Sequence, residues 1–380
     1  MKSQKICIIG DGLAGLTTAL SLAKLNIEID LFYTKKKLSY KKDTRTTAIS
    51  KSNFNFIKKI ISLKNNNLFW PSKNINLFYE NNKGYLNFLN YENANNISMY
   101  IFENEKIKKK IFDKLKKEKN VHLINKKILD IDNENSFLKL GNKKKKYDLI
   151  ILCLGNNSNL YNSFYSRKII KDYNEVAITC AIQHNIKKLS AQQYFLKNGP
   201  FAILPFKKNY FSLVWTLKKN FFLENEKKIK ELTEQKLRNI FGIRKKFKIS
   251  KIQSFPIRLS LRSNYHFKNT LILGEGIHSV HPIAGQGFNL VIRDIIKLKN
   301  LLKKNLQLGQ LIRDSLILKK FKKERKPENI IFGLGIDMAN TFFQSRNFFE
   351  PLKNKLLNNI KNNYSLKKVT EIISDKGLKL

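Results

Sequence analysis

The sequence predicts an α/β protein in which a parallel-sheet domain is interrupted by an inserted antiparallel sheet. Three observations carry this reading. The first thirty-odd residues read as strand, glycine-rich turn, helix and strand. A second glycine-rich turn lies between another strand and another helix within 269–295. Between the two, segments such as "FAILPF" and "YFSLVWTL" alternate as sheet strands do. Seven of the 16 glycines fall in the two turns: Gly10, Gly12 and Gly15, then Gly274, Gly276, Gly285 and Gly287. Glycine loses the most backbone freedom on folding, so such clustering marks places where the backbone must come close to something.

The first turn completes a Rossmann-like unit. "ICII" is a short apolar strand that runs into Gly10-Asp11-Gly12-Leu13-Ala14-Gly15. Leu16, Ala19, Leu20 and Ala23 then follow at helical spacing, and Ile27 to Phe32 forms the next strand. Strand, G-x-G-x-x-G, helix and strand within about 30 residues is the dinucleotide-binding arrangement. Gly10 permits the tight turn, Gly12 lets a pyrophosphate approach the backbone, and Gly15 lets the helix pack on the strand. The free amides of the first helical turn, at Leu13 and Ala14, then face phosphate. The acidic residue that usually holds the adenosine ribose would fall near Tyr33, so ribose binding is expected to use backbone, water or the Tyr33 hydroxyl instead.

The second turn, "NTLILGEGIHSVHPIAGQGFNLVIRDI", places Glu275 after the strand "TLILG" and Pro282 and the glycines before a helix from about Phe288. Helix N-termini stabilise negative charge, and the pyrimidine end of a reduced isoalloxazine carries it. Gly285, Gln286, Gly287, Phe288 and Asn289 form a loop whose backbone can lie against a flat ring, and Gly274-Glu275 offers a carboxylate to ribityl or ribose hydroxyls. The loop reads as a flavin holder.

Composition bounds the rest. A 380-residue chain with 42% hydrophobic content is globular and can build two domains. Its 73 basic against 29 acidic residues give a net charge of +44. Ten arginines and 63 lysines, scattered with asparagine and isoleucine, match the bias of an AT-rich genome better than a nucleic-acid reader, which would favour arginine forks. The excess charge suits an anionic membrane surface. Cys7, Cys153 and Cys180 show neither metal-ligand nor disulfide spacing, which fits a reducing cytoplasm. No apolar run approaches a membrane span, and the turn at residue 10 leaves no room for a targeting peptide. The expected location is cytoplasmic, peripheral on the inner face of the cell membrane.

The second turn resembles a known family. Gly274-Glu275, then His281-Pro282-Ile283-Ala284-Gly285-Gln286-Gly287-Phe288-Asn289-Leu290 with Asp294, is similar to the flavin motif of the FAD-dependent aromatic-ring hydroxylases of ubiquinone biosynthesis. "DTRTTAIS" at 43–50 resembles the family segment whose arginine, here Arg45, contacts the flavin. "GPFAILPFKKNYFSLVWTL" at 199–217 resembles the substrate-domain strands, with Pro205 and Trp215 as substrate-side residues. "FPIRLSLRSNY" and "LGIDMANTFF" extend the likeness over about 340 residues. One segment departs: where the family has A-D-G-x-x-S-x-x-R, this chain has Leu154 for the aspartate and Asn162 for the arginine.

The resemblance implies the aromatic-hydroxylase fold, bound FAD, an NAD(P)H donor put in question by that departure, O2, and a polyprenylated phenol hydroxylated on its ring. It also implies a quinone-biosynthesis complex as partner and no catalytic triad. Two alternatives stay open: another flavin hydroxylase or reductase of the same fold, and a non-catalytic flavin-binding subunit. The FAD domain is expected at 1–75, 98–170 and 263–343, the substrate domain at 76–97 and 171–262, and amphipathic helices broken near Pro351 and Gly377 at 344–380. His278 and His281 stand three apart but lack a third metal ligand nearby, and Arg258 and Arg262 read as surface residues before they read as substrate guides.

Overall fold

The computed structural model describes residues 4–34, 43–63, 65, 67–92, 97–140, 143–156, 158–162, 164, 167–242, 247–345 and 350–363. Its first layer is a six-stranded sheet in the order His266–Phe267, Thr270–Ile272, Leu149–Leu152, Lys5–Ile9, Glu28–Tyr33, Val121–Asn125. Every neighbouring pair is parallel except the edge hairpin at 266–272. The central strands are apolar at nearly every position, as strands covered on both faces must be. The helices Leu13–Ala23, Asn104–Leu115 and Gly287–Gln307 complete this layer, and Leu16, Leu20, Ile111 and Ile292 are buried in its core.

The second layer is a nine-stranded sheet. Its long strands Lys168–Gln183, Tyr210–Lys218, Gly199–Lys207 and Gln253–Arg262 pair antiparallel. One pairing differs from the expected all-antiparallel insert: Ala191–Leu196 runs parallel to Asn74–Asn81. That strand enters from the far side of the sheet after a long connection, so no hairpin sets its direction. The sheet also recruits His278–Ser279 from the second glycine turn, which ties the two layers together at the site. One face of the sheet is covered by the 219–224 and 229–241 helices through Phe222, Ile229 and Leu237. The other face looks into a cleft.

A small sheet of Thr46–Ser50, Met99–Glu103 and Trp70–Ser72 bridges the layers. Of the segment expected to supply later parallel strands, Val121–Asn125 joins the main sheet, whereas Ile131–Asp132 belongs to a separate three-stranded sheet with Phe137–Leu140 and Lys143–Lys146. The chain then forms a 30-residue helix, Ser315–Gln344, capped by the Asp314 carboxylate accepting from the Leu316 amide at 2.9 Å. A second C-terminal helix, Glu350–Asn362, carries Pro351 in its first turn, where a missing N–H costs nothing. Gly377 lies outside the described residues.

Candidate functional site

A cleft of about 1200 Å³ opens where the two sheets meet. Its floor is built by glycines with two different duties. Gly10 has φ +120°, and a Cβ there would stand 2.2 Å from the Cys153 carbonyl oxygen. A Cβ on Gly15 would stand 1.9 Å from the Gly10 carbonyl oxygen. Neither borders the cleft, and both let the 13–23 helix seat directly on the strands. Gly12 is different: its φ is −69°, a Cβ there would meet nothing within 4 Å, and it borders the cleft with Leu13 and Ala14. There is room above Gly12 for a ligand to lie on bare backbone.

The 13–23 helix has no side-chain cap and no acidic residue in its first turn. The Gly287–Gln307 helix lacks both as well. Gly285, Gln286, Gly287 and Phe288 border the same cleft, so both helix starts bring uncapped N–H groups and positive dipole ends to it. Buried within this wall, the Gln286 Oε1 has no hydrogen-bond partner among the described residues. Glu275 and Pro282 also border the cleft, while Gly274 packs beneath, with φ +79° and only 3.0 Å of room to the Ala14 Cβ.

The loop before the second helix is fastened from several sides. The Asn289 Oδ1 accepts from the Ser50 amide at 3.0 Å and from the Asn53 Nδ2 at 2.7 Å. Its Nδ2 donates to the carbonyls of Ala48 at 3.2 Å and Gly285 at 3.3 Å. Asn289 therefore spends its donors and acceptors holding the loop against the 46–50 strand. His281 accepts the Ile283 amide on Nδ1, which leaves Nε2–H to donate to Glu175 Oε2 at 3.0 Å. His278 instead meets Asp294 Oδ2 at 2.7 Å, so the two histidines serve separate carboxylates. Among the described residues no group of three His, Cys, Asp or Glu could hold a metal ion.

Arg45 borders the cleft, where its guanidinium makes a two-pronged pair with Asp43, 2.8 Å for each contact, and lies 5.0 Å over the Phe255 ring. Its pKa is raised by the hydrogen bond it donates to Asp43, against the opposing effect of burial, with the charges of Asp43 and Glu275 adding to the rise. It is a fixed cation on the cleft wall, within electrostatic reach of Glu275.

Besides Gly10, Gly15 and Gly274, three more expected site residues do not border the cleft. Tyr33 packs edge-on against Phe112 at 5.4 Å. Pro205 is buried in its strand, and Trp215 is 2% exposed, packed against Phe201 on the far face of the sheet. Strand side chains alternate faces, so the cleft is lined by the intervening Ala202, Leu204 and Val214 instead. Arg258 borders the cleft and is half exposed, paired with Asp172 at 3.2 Å. Arg262 is a correction to the surface reading: it is 2% exposed, donates Nε–H to the Gly276 carbonyl at 3.0 Å, and lies 5.1 Å over the Tyr161 ring.

Tyr161 is the residue that sequence reasoning missed. Its hydroxyl accepts from the Leu154 amide at 3.2 Å and donates to the Gly155 carbonyl at 2.9 Å. Burial pushes its phenol well above the usual range, so the proton stays on. A Cβ on Gly276 would stand 2.6 Å from that hydroxyl. Tyr161 and Arg262 thus clamp the departed segment at 154–162 to the turn carrying Glu275. Tyr161→Phe leaves the Leu154 N–H and Gly155 C=O without this partner, and a cost of about 1–3 kcal/mol is expected. The denaturation midpoint of the variant should fall and its FAD retention should weaken several-fold. Unchanged values of both would contradict the clamp.

Comparison with known proteins agrees with this architecture. Residues 166–328 match the FAD binding domain family. p-Nitrophenol 4-monooxygenase PnpA from Pseudomonas putida DLL-E4 superposes with a TM-score of 0.81 at 12% identity, covering 100% of this chain and 99% of that one. PqsL from Pseudomonas aeruginosa, a probable FAD-dependent monooxygenase, gives 0.74 at 14% identity over 95% and 100%. The fold is the one these two monooxygenases share, and its cleft lies partly within the part of the chain that matches the FAD binding domain.

Curated sequences narrow this. The mitochondrial ubiquinone biosynthesis monooxygenase COQ6 of Dictyostelium discoideum is 27% identical over 93% of this chain and 88% of its own length. The 3-demethoxyubiquinol 3-hydroxylase of Escherichia coli is 27% identical over 43% of this chain and 42% of its own. Over most of its length the chain is thus similar to ubiquinone biosynthesis monooxygenases.

Proposed function

We propose that this chain binds FAD across the two uncapped helix starts and hydroxylates the ring of a polyprenylated phenol in ubiquinone biosynthesis. The observation that carries the reading is one continuous cleft, polar and helix-ended on one side, apolar on the other. Gly12, Leu13 and Ala14 are suited to the pyrophosphate, and Glu275 to ribityl or ribose hydroxyls. Arg45 and the 285–289 loop are suited to the flavin ring, with Gln286 Oε1 as an acceptor awaiting a donor. When bound and reduced, FAD supplies the activation of molecular oxygen.

The protein's remaining task is to exclude water and to orient the phenol. Ala202, Leu204 and Val214 face the cleft from the sheet, joined by Ile75, Leu77 and Met99. This apolar chamber suits a prenyl tail and supports 76–97 and 171–262 as the substrate part of the molecule. We place the donor as NAD(P)H, with Leu154 and Asn162 as the reason for slow use of it. The working site is taken as the cytoplasmic face of a membrane, beside other enzymes of quinone synthesis. No described helix is long and apolar enough to cross a membrane.

The test uses two electron sources. Reduced chemically by dithionite and then given oxygen, the FAD-loaded protein should hydroxylate a short-tailed prenylphenol, and NADPH alone should reduce it slowly. Peroxide without hydroxylated product, with every prenylphenol tried, would favour the non-catalytic subunit.

A further inference from the structure

The Ser315–Gln344 helix is built inside out. Its packed face holds Arg325, Glu328, Asn329 and Asn340, each at most 7% exposed. Between 327 and 341 its exposed residues are Pro327, Ile331, Leu334, Gly335, Met338 and Thr341, none of them charged. At 100° per residue these six fall within about a third of the helix circumference. Met338 is 71% exposed, Ile331 46% and Leu334 37%, in a chain where more than a quarter of residues are charged. A second element widens the stripe. Gly333 seats the helix on Leu261, whose strand partner is Ile169, and Lys171 reaches Asp337 at 2.8 Å. Ile169 and Ile170, at 50% and 61% exposure, therefore flank the helix. Exposed apolar surface of this extent marks a place of contact.

We infer that this face lies on an anionic lipid bilayer. The turns before the stripe carry exposed Lys319, Lys320 and Lys323, and Lys168 and Lys171 stand beside Ile169 and Ile170. A net charge of +44 sets two copies of this chain against each other, so a second copy is disfavoured. Protein interfaces favour aromatic and arginine anchors and are poor in lysine, whereas here Lys168, Lys171, Lys319, Lys320 and Lys323 outnumber the exposed Arg167 and Arg258, and the exposed stripe has no aromatic residue. Lysine beside an aliphatic stripe is what adsorbs a helix in the plane of an anionic membrane. The cleft reaches the surface at Arg258, paired with Asp172, next in sequence to Lys171. The docking face thus adjoins one mouth of the site, which suits a substrate with a membrane-dissolved tail. That last link rests on the proposed function, while the docking itself does not.

The experiment is co-sedimentation of the FAD-loaded full chain with vesicles of phosphatidylcholine, with and without phosphatidylglycerol. Wild type should bind the anionic vesicles and keep part of that binding at high salt. Leu334→Glu/Met338→Glu should lose about tenfold in partitioning, with melting temperature and flavin content unchanged. Met338→Trp should bind more tightly, since tryptophan favours the membrane interface. Leu129→Glu, an exposed leucine elsewhere, should bind as wild type. Wild-type binding by the double variant, equal loss in the Leu129 control, or complete release of wild type by salt would overturn the assignment. So would a dimer that the double variant converts to monomer in light scattering, which would make the face a self-interface. Turnover of a water-soluble short-tailed phenol should be the same in all variants, which keeps this result separate from that of the proposed function.

Discussion

Gly12→Val should give a folded protein that no longer takes up FAD. The backbone at Gly12 is extended, with φ −69° and ψ 175°, a conformation valine adopts readily. Its added methyls would enter the cleft and meet nothing in the protein within the reach of a Cβ. The loss to the fold is confined to a poorer N-cap, about 1 kcal/mol. A pyrophosphate lying on this backbone has no such room, so the dissociation constant for FAD should rise at least a hundredfold. Gly10→Ala is the contrast, because a Cβ there collides with the Cys153 carbonyl and sits at φ +120°. That variant should be lost as insoluble or unfolded protein. Titration of the Gly12→Val apoprotein with FAD, followed by flavin fluorescence, and its circular dichroism melt decide the matter together. A variant that still binds FAD tightly would remove Gly12 from the site.

Asp294→Ala should lose about 3–5 kcal/mol of stability, the usual cost of breaking a buried ion pair from one side. Asp294 is fully buried, 2.6 Å from Arg325 Nε and 2.7 Å from His278 Nε2, and the Asn329 Nδ2 donates to it at 3.2 Å. Removing it takes the partner of the Arg325 Nε and of His278, leaving Glu328, among the described residues, as the one carboxylate paired with Arg325 in the packed face of the long helix. Burial alone would raise the Asp294 pKa, but Arg325 and His278 outweigh it and hold the carboxyl below its ordinary value of 3.8. A depressed folded-state pKa means that this stability is fully present above 3.8 and is lost as pH falls through the folded value. Wild type should therefore lose part of its stability in that acid window, and the Asp294→Ala variant should lose less there. Denaturant melts from neutral pH down to pH 3 would show it, and parallel curves for the two proteins would contradict it.

The parts of the site written in glycine were legible in the sequence. Gly10 and Gly15 stand where side chains cannot go, Gly12 keeps the cleft above it open, and the spacing of the three follows from one turn of backbone. Side-chain facing was less legible. "YFSLVWTL" is apolar on both faces because helices cover one side of that sheet and the cleft occupies the other. Without alternation in polarity, Trp215 and Val214 could not be told apart. Tyr161 and Arg262 meet across a wide gap in the chain, and neither carries a local signal. The motif assigns Asn289 to the cofactor; it borders the cleft, and its side chain also pins the loop to the 46–50 strand, a role the motif alone does not reveal. The long C-terminal helix hid its exposed stripe because its buried face is polar, the reverse of the pattern by which an amphipathic helix is usually oriented.

The central claim is that this cleft uses bound FAD to put oxygen on a phenol ring. The most direct measurement is a single turnover with the purified protein, reduced by dithionite without air and mixed with 18O2 and a short-tailed prenylphenol. The account predicts a hydroxylated product, heavier by one 18O atom, in an amount approaching that of bound flavin. Reduced flavin that returns to the oxidised form with peroxide alone, and with every prenylphenol unchanged, would contradict it.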